Sequence, residues 1–209
     1  MKKFHGIDLS KHNIVTDWDM LKESNLVEFI ILRAGGHWNT SFYKDSKFEE
    51  YYKACKEHGI PVGAYYDCGK RFYLKEFGED CARHFLKLLD GKSFEMPVFM
   101  DIEVTPKAYR TQITEATRGF CKLMEANDYF VGIYASDISG FKERLDYSKI
   151  QEFTKWVARY GREPEYVKSY GLYQYSSTGK IQGIKGNVDL DIAMADYPYI
   201  IRRGHFNGN

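Results

Sequence analysis

Two carboxylates one residue apart close the apolar run Pro97-Val98-Phe99-Met100-Asp101-Ile102-Glu103. An extended strand alternates its side chains between faces, so Asp101 and Glu103 should point the same way, with Cβ atoms roughly 6–7 Å apart. Like charges held that close and partly buried resist ionising together. One of them keeps its proton and can donate it, which is what glycoside hydrolysis requires. Taken alone, the pair is equally compatible with a solvated strand edge, a salt-bridged structural pair or an oxygen ligand set for a hard metal ion.

Two further segments that read as strands carry acids far away in the chain. Phe4-His5-Gly6-Ile7-Asp8-Leu9-Ser10 near the start and Val188-Asp189-Leu190-Asp191-Ile192-Ala193 near the end both alternate. Acids at the ends of a first, a middle and a last strand meet only if the sheet closes on itself. A barrel does this, gathering residues from several strands at one rim.

Eight strand candidates supply such a barrel, over residues 3–8, 29–33, 62–66, 98–103, 130–134, 156–159, 172–175 and 188–193. Helical patterns separate the early ones. A short helix starts at Thr16-Asp17-Trp18-Asp19, others cover 48–58 (with His58 last, before Gly59), 75–89 and 112–126, and a fifth lies within 138–145. The alternation implies parallel strands with helices outside. Beyond Arg159 the gaps 160–171 and 176–187 hold Gly, Pro and Ser without a helical period, so loops join the last three strands and some of these run antiparallel. The expected fold class is α/β: an irregular TIM-like barrel, five β-α units followed by three strands joined by loops. It occupies residues 1–196, and 197–209 form a C-terminal tail or linker.

Composition agrees with one domain, since 209 residues with 44% hydrophobic and 28% charged side chains can build a sizeable core and no Pro-, Gly- or Ser-rich linker divides them. The aromatic content of 16% suits stacking on sugar rings, although most of these side chains should fill the core. A net charge of +1 leaves no basic footprint for nucleic acid. Asp8, Lys11 and His12 interrupt any signal-peptide core after Lys2 and Lys3, and no run reaches the length of a membrane span, so synthesis in the cytoplasm is expected. Cys55, Cys68, Cys81 and Cys121 show neither Cys-x-x-Cys nor zinc-ligand spacing and read as free, partly buried thiols.

The ordered set Gly6-Ile7-Asp8-Leu9-Ser10, Ile31-Leu32-Arg33-Ala34, Val62-Gly63-Ala64-Tyr65-Tyr66, Phe99-Met100-Asp101-Ile102-Glu103, Gly132-Ile133-Tyr134-Ala135-Ser136, Trp156-Val157-Ala158-Arg159-Tyr160, Tyr173-Gln174-Tyr175-Ser176-Ser177-Thr178-Gly179 and Val188-Asp189-Leu190-Asp191 resembles the glycoside hydrolase family 25 lysozymes, the Chalaropsis-type N-acetylmuramidases. The resemblance implies cleavage of the β-1,4 bond between N-acetylmuramic acid and N-acetylglucosamine in bacterial peptidoglycan, on an irregular β/α barrel with no cofactor and no metal. It implies Glu103 as general acid and Asp101 as the partner that orients the substrate's own 2-acetamido group, which attacks the anomeric carbon with net retention. Direct attack by Asp101 and single displacement by water are the alternatives. Asp8 and Asp189 match the remaining site carboxylates, whereas many members carry Asn at the position of Asp191, so no charge is required there. Tyr65, Tyr134, Trp156, Gln174 and Tyr175 match the substrate groove, and Arg33 is a lesser candidate that neutralises the acid cluster. Where the family often shows Tyr-His-Phe, this chain has Tyr65-Tyr66-Asp67, which adds an acid at the same rim.

Three other functions are compatible with parts of this pattern. A metal-dependent hydrolase would use Asp8, Asp101, Glu103, Asp189 and Asp191 as oxygen ligands. A non-catalytic glycan-binding barrel would have no need of a buried acid pair. A hydrolase of another N-acetylhexosamine polymer such as chitin would use the same pair. The favoured expectation is a monomer acting on the bacterial cell wall after release, in a phage, prophage or mobile-element setting, with no nucleic-acid or membrane partner.

Overall fold

The computed structural model describes residues 3–73 and 75–209. Along the chain, β1 (Phe4–Leu9), β2 (Ile14–Val15), α1 (Trp18–Glu23), β3 (Phe29–Trp38), β4 (Ser41–Lys44), α2 (Phe48–Glu57), β5 (Val62–Asp67), α3 (Lys75–Leu89), β6 (Val98–Asp101), α4 (Arg110–Glu125) and β7 (Val131–Ser136) are followed by a π-helical segment, Asp137–Lys142. Then come β8 (Thr154–Ala158), β9 (Leu172–Gly179), β10 (Ile184–Lys185), β11 (Val188–Ala193) and α5 (Tyr197–Gly204). The strands hydrogen-bond in the order β1-β11-β9-β8-β7-β6-β5-β3, and β1 pairs with β3 to close an eight-stranded barrel. β4 adds a hairpin outside the ring, and β2 pairs with β10 apart from it.

Five β-α units and then three loop-joined strands are what the alternation implies. β11 runs antiparallel to both β9 and β1, because the short connections after β9 leave no room for a parallel crossover. Local chemistry sets the helix ends: Asp17 caps α1 by accepting from the Met20 amide at 2.8 Å, and α2 ends at His58 before Gly59, whose φ of +60° is the left-handed turn that glycine allows. All four cysteines are free and buried.

Alternation along each strand sorts side chains into two cores. Ile30, Leu32, Val62, Val98, Met100 and Ile133 face outward onto Phe48, Phe85, Ile113 and Phe120 of the surrounding helices. Phe29, Ile31, Phe99, Trp156, Leu172 and Ala193 face inward and plug the barrel. Two inward glycines make that plug possible: a Cβ on Gly6 would lie 2.5 Å from the Phe29 ring, and one on Gly132 2.5 Å from the Phe99 ring. Two residues further along the same strands stand Asp8 and Tyr134. The glycines therefore let large rings fill one layer so that the next layer, toward the rim, can be polar.

The observed structure departs from the expected elements in three places. β6 stops at Asp101, and Glu103 lies beyond it in a bend. The fifth helix is the π-helical turn Asp137–Lys142, whose start is tied to a loop because the Asp137 carboxylate accepts from the amides of Glu165, Tyr166 and Val167. Residues 197–209 are packed rather than frayed or linker-like. Asp196 caps α5, Tyr197 and Ile201 are buried in the inner core, and Asn207 closes the far end of the barrel. Its side chain donates to the Met96 carbonyl at 3.0 Å and accepts from the Phe130 amide at 2.7 Å.

Candidate active site

Eight side chains from seven elements or their ends line one pocket at the carboxyl end of the parallel strands: Asp8, Tyr65, Asp101, Glu103, Tyr134, Trp156, Gln174 and Asp189. Strand register explains the meeting. Asp8 sits directly across from Asp189 in the β1–β11 ladder, Asp67 beside Asp101 in β5–β6, and Asp101 beside Tyr134 in β6–β7. The expected acid quartet of Asp8, Asp101, Glu103 and Asp189 is thus brought together, Glu103 reaching the pocket from the bend after β6.

Gln174, 1% exposed, is the hub. Its Nε2 donates to Asp8 Oδ2 at 2.7 Å and to Asp189 Oδ2 at 3.3 Å, and its Oε1 accepts from Tyr134 Oη at 2.8 Å and Tyr160 Oη at 2.9 Å. Both amide protons and both lone pairs are engaged, so Gln174 positions the acids and has nothing left for a sugar hydroxyl. Tyr134 has a single hydroxyl proton and two neighbours that want it, Gln174 and the Glu103 carboxyl. When Glu103 is protonated, its own O–H can donate to Tyr134 while Tyr134 donates to Gln174. The network thereby accommodates a proton-bearing Glu103 without leaving an acceptor unfilled.

Electrostatics act in the same direction on every acid. Burial, then the facing Asp189, raises Asp8 to about 8 against opposing hydrogen bonds from Gln174 and Asp191. Burial, then Glu103, Asp67 and Asp8, pushes Asp101 well above the usual carboxylate range, with Arg33 pulling the other way. Glu103 is the most open of the set, yet partial withdrawal of its carboxyl from water, then Asp67 and Asp189, raises it too. Burial raises Asp189. Crowded acids cannot all ionise, so the pocket retains protons at neutral pH.

Asp191 lies one layer below, fully buried. Its Oδ1 accepts from Trp156 Nε1 at 2.8 Å, and its Oδ2 finds no donor among the described residues. Burial, then the nearby Asp8, drives its pKa well above the usual carboxylate range.

The remaining groove candidates are placed as follows. Trp156 is buried, stacked edge-on against Tyr134 at 4.5 Å and Tyr65 at 6.1 Å, so it backs the pocket wall. Tyr65 lines the pocket. Tyr175 points away from Gln174 on β9 and lies beside Tyr173 at 6.1 Å, outside the pocket lining. Arg33 pairs with Asp45 at 2.7 Å and lines a neighbouring cleft. Tyr160, not among the groove candidates, completes the Gln174 network. The signal available was its place just after a strand that ends at the rim. Among the described residues, no group of three His, Cys, Asp or Glu side chains is arranged to hold a metal ion. No helix there is long and apolar enough to cross a membrane.

Comparison with known proteins follows this geometry. The chain is 29% identical over 188 residues to the autolytic lysozyme of Clostridium acetobutylicum, a match covering 89% of this chain and 54% of that protein, so the chain spans about half the length of that relative. Its fold superposes on the CTP1L endolysin with a TM-score of 0.79 at 25% identity, over 97% of this chain and 70% of that one. The lysozyme of Streptomyces coelicolor shares the fold with a TM-score of 0.77 at 23% identity, over 93% and 94% of the two chains. The sequence profile of the glycosyl hydrolases family 25 matches residues 7–184, from within the first barrel strand to just before the last, and the chain belongs to that family.

Proposed function

We propose that this protein is an N-acetylmuramidase, a lysozyme that cleaves the β-1,4 bond between N-acetylmuramic acid and N-acetylglucosamine in bacterial peptidoglycan and acts as a monomer at the cell wall. The observation that carries the reading is the junction of Asp101 and Glu103 in one pocket whose other acids and hydrogen-bond hub hold protons in place. Protonated Glu103 donates to the leaving glycosidic oxygen as the bond to the anomeric carbon breaks. Asp101 lines the same pocket as Glu103, where its carboxylate accepts from the N–H of the substrate's 2-acetamido group. The acetamido oxygen then attacks the anomeric carbon, forming a cyclic intermediate. Glu103, now ionised, takes a proton from the water that opens it, and two inversions give net retention.

Digestion of purified peptidoglycan, followed by mass spectrometry of reduced fragments, tests the bond assignment: reduced muramic acid ends are expected, and reduced glucosamine ends or free stem peptides would replace the reading with a glucosaminidase or an amidase. Comparable turnover of chitin would favour the broader N-acetylhexosamine hydrolase. Proton NMR of the first sugar released should show the β anomer, and an initial α anomer would leave only single displacement by water. Activity is expected to persist in EDTA. Loss in chelator with return on adding Mg²⁺ or Ca²⁺ would assign the acids to a metal.

A further inference from the structure

A second, larger cleft of about 650 Å³ opens beside the acid pocket, lined by Lys11, His12, Arg33, Trp38, Tyr43 and Asp67 together with the hairpin tip. β3 runs ten residues, past the barrel rim, and turns at Asn39 (φ +55°) into β4. The outer face of this hairpin is anchored: His37 packs on Phe77 of α3 at 4.5 Å, and Phe42 on His84 at 4.8 Å. By alternation its inner face presents Gly36, Trp38, Ser41 and Tyr43 to the cleft. Gly36 has no room for a Cβ, which would fall 2.5 Å from the Asp67 carbonyl oxygen, so the hairpin sits close against the end of β5.

The two acids nearest this cleft are already engaged. Asp67 accepts from Tyr43 Oη at 2.9 Å and from the Gly69 amide at 3.0 Å, and Asp45 holds Arg33 at 2.7 Å. The cations are not matched in the same way. Lys11 Nζ lies over the Tyr43 ring at 6.0 Å and makes no ion pair among the described residues, and Lys70 Nζ lies by one side of the Trp38 ring at 5.9 Å. Trp38 itself is 50% exposed. The mouth of an acid-filled barrel thus has a cationic, aromatic arm on one side, with Asn39, Thr40 and Ser41 offering amide and hydroxyl groups. That combination suits a short acidic peptide: carboxylates toward Lys11 and His12, backbone groups toward the hairpin tip, and an apolar or ring face against Trp38.

We infer that this cleft binds the acidic peptide stem carried by the muramoyl residue, so that Lys11 and Trp38 determine preference for peptide-substituted glycan. The inference rests on the peptidoglycan reading above. Lys11 and Trp38 are exposed and outside the acid network, so K11E and W38A should fold.

The test measures binding of N-acetylmuramoyl-L-alanyl-D-glutamate and of peptide-free N-acetylmuramic acid by calorimetry, with reducing-end release from peptidoglycan assayed in parallel. The wild type should bind the peptide-bearing probe about tenfold more tightly, and K11E and W38A should each abolish most of that advantage while leaving affinity for the peptide-free sugar unchanged. Equal affinity for the two probes, or a peptide advantage untouched in both variants, overturns the cleft assignment. A peptide advantage without release of reducing ends would instead sink the muramidase reading and leave the cleft standing.

Discussion

Glu103 earns its assignment from position rather than from residue type: it is the most open carboxyl in a ring of partly buried ones, and it shares Tyr134 with Gln174. Glu103→Gln keeps the shape and removes the proton, so peptidoglycan turnover should fall at least about 100-fold with the fold unchanged by circular dichroism. Asp101→Asn should be severely impaired as well, and turnover within a few-fold of the parent in either variant would remove that residue from the proposed step. Asp191 makes the opposite case. Its pKa is pushed well upward by burial and it accepts from Trp156 Nε1, a bond that the amide oxygen of Asn can keep. Asp191→Asn should therefore keep activity within a few-fold, whereas Asp191→Ala strands the buried indole N–H, costs about 1–3 kcal/mol of stability and lowers turnover more than tenfold. Equal losses in the Asn and Ala variants would show that a charge at this position matters after all.

The elements hold these groups by closing the barrel at both ends, and the tail is the part that seals the end away from the site. Asn207 makes two side-chain bonds, to Met96 and Phe130, at a backbone φ of +57° that Asn tolerates better than Ala. Asn207→Ala should cost about 2–4 kcal/mol in urea denaturation, with turnover on the surviving folded protein near normal. Unchanged stability would mean that the tail merely rests on the barrel. The eight barrel strands and the α helices before β7 were legible because period-2 and period-3.6 patterns report burial directly, and both cores obey them. Other features depend on contacts that no local pattern carries. The tail helix is stabilised by packing against Phe130 and the inner core, at 5.7 Å between the Phe130 and Tyr197 rings. The π-helical turn depends on Asp137 reaching amides some thirty residues away. Among site residues, the acids stood out by type and strand position. Gln174 as a saturated hub, Tyr160 as its partner and Trp156 as a wall became visible only with the register that places β9 between β8 and β11.

The molecule as a whole carries a net charge of only +1, yet it gathers Asp8, Asp67, Asp101, Glu103, Asp189 and Asp191 around one barrel mouth and sets Lys11, Lys70 and Arg33 along one side of it. Such a concentration of acid must show in stability as well as in catalysis. In the unfolded chain Asp8 titrates near its ordinary value of 3.8, while in the folded barrel it holds its proton to about 8. Below the first value both states are protonated, and the difference contributes nothing against folding. Between the two values the unfolded chain releases a proton that the folded protein keeps, so stability falls as pH rises, by up to about 1.4 kcal/mol per pH unit for this one group. The raised Asp101, Glu103, Asp189 and Asp191 add slopes of the same sign. The protein should therefore be more stable near pH 5 than near pH 8, and Asp8→Asn, which keeps the neutral form at every pH, should flatten the curve by gaining most at the alkaline end. Urea denaturation of both proteins across this range decides the matter: a wild-type stability that rises toward pH 8, or an Asp8→Asn curve parallel to it, would show that the acids at the barrel mouth are ionised in the folded state.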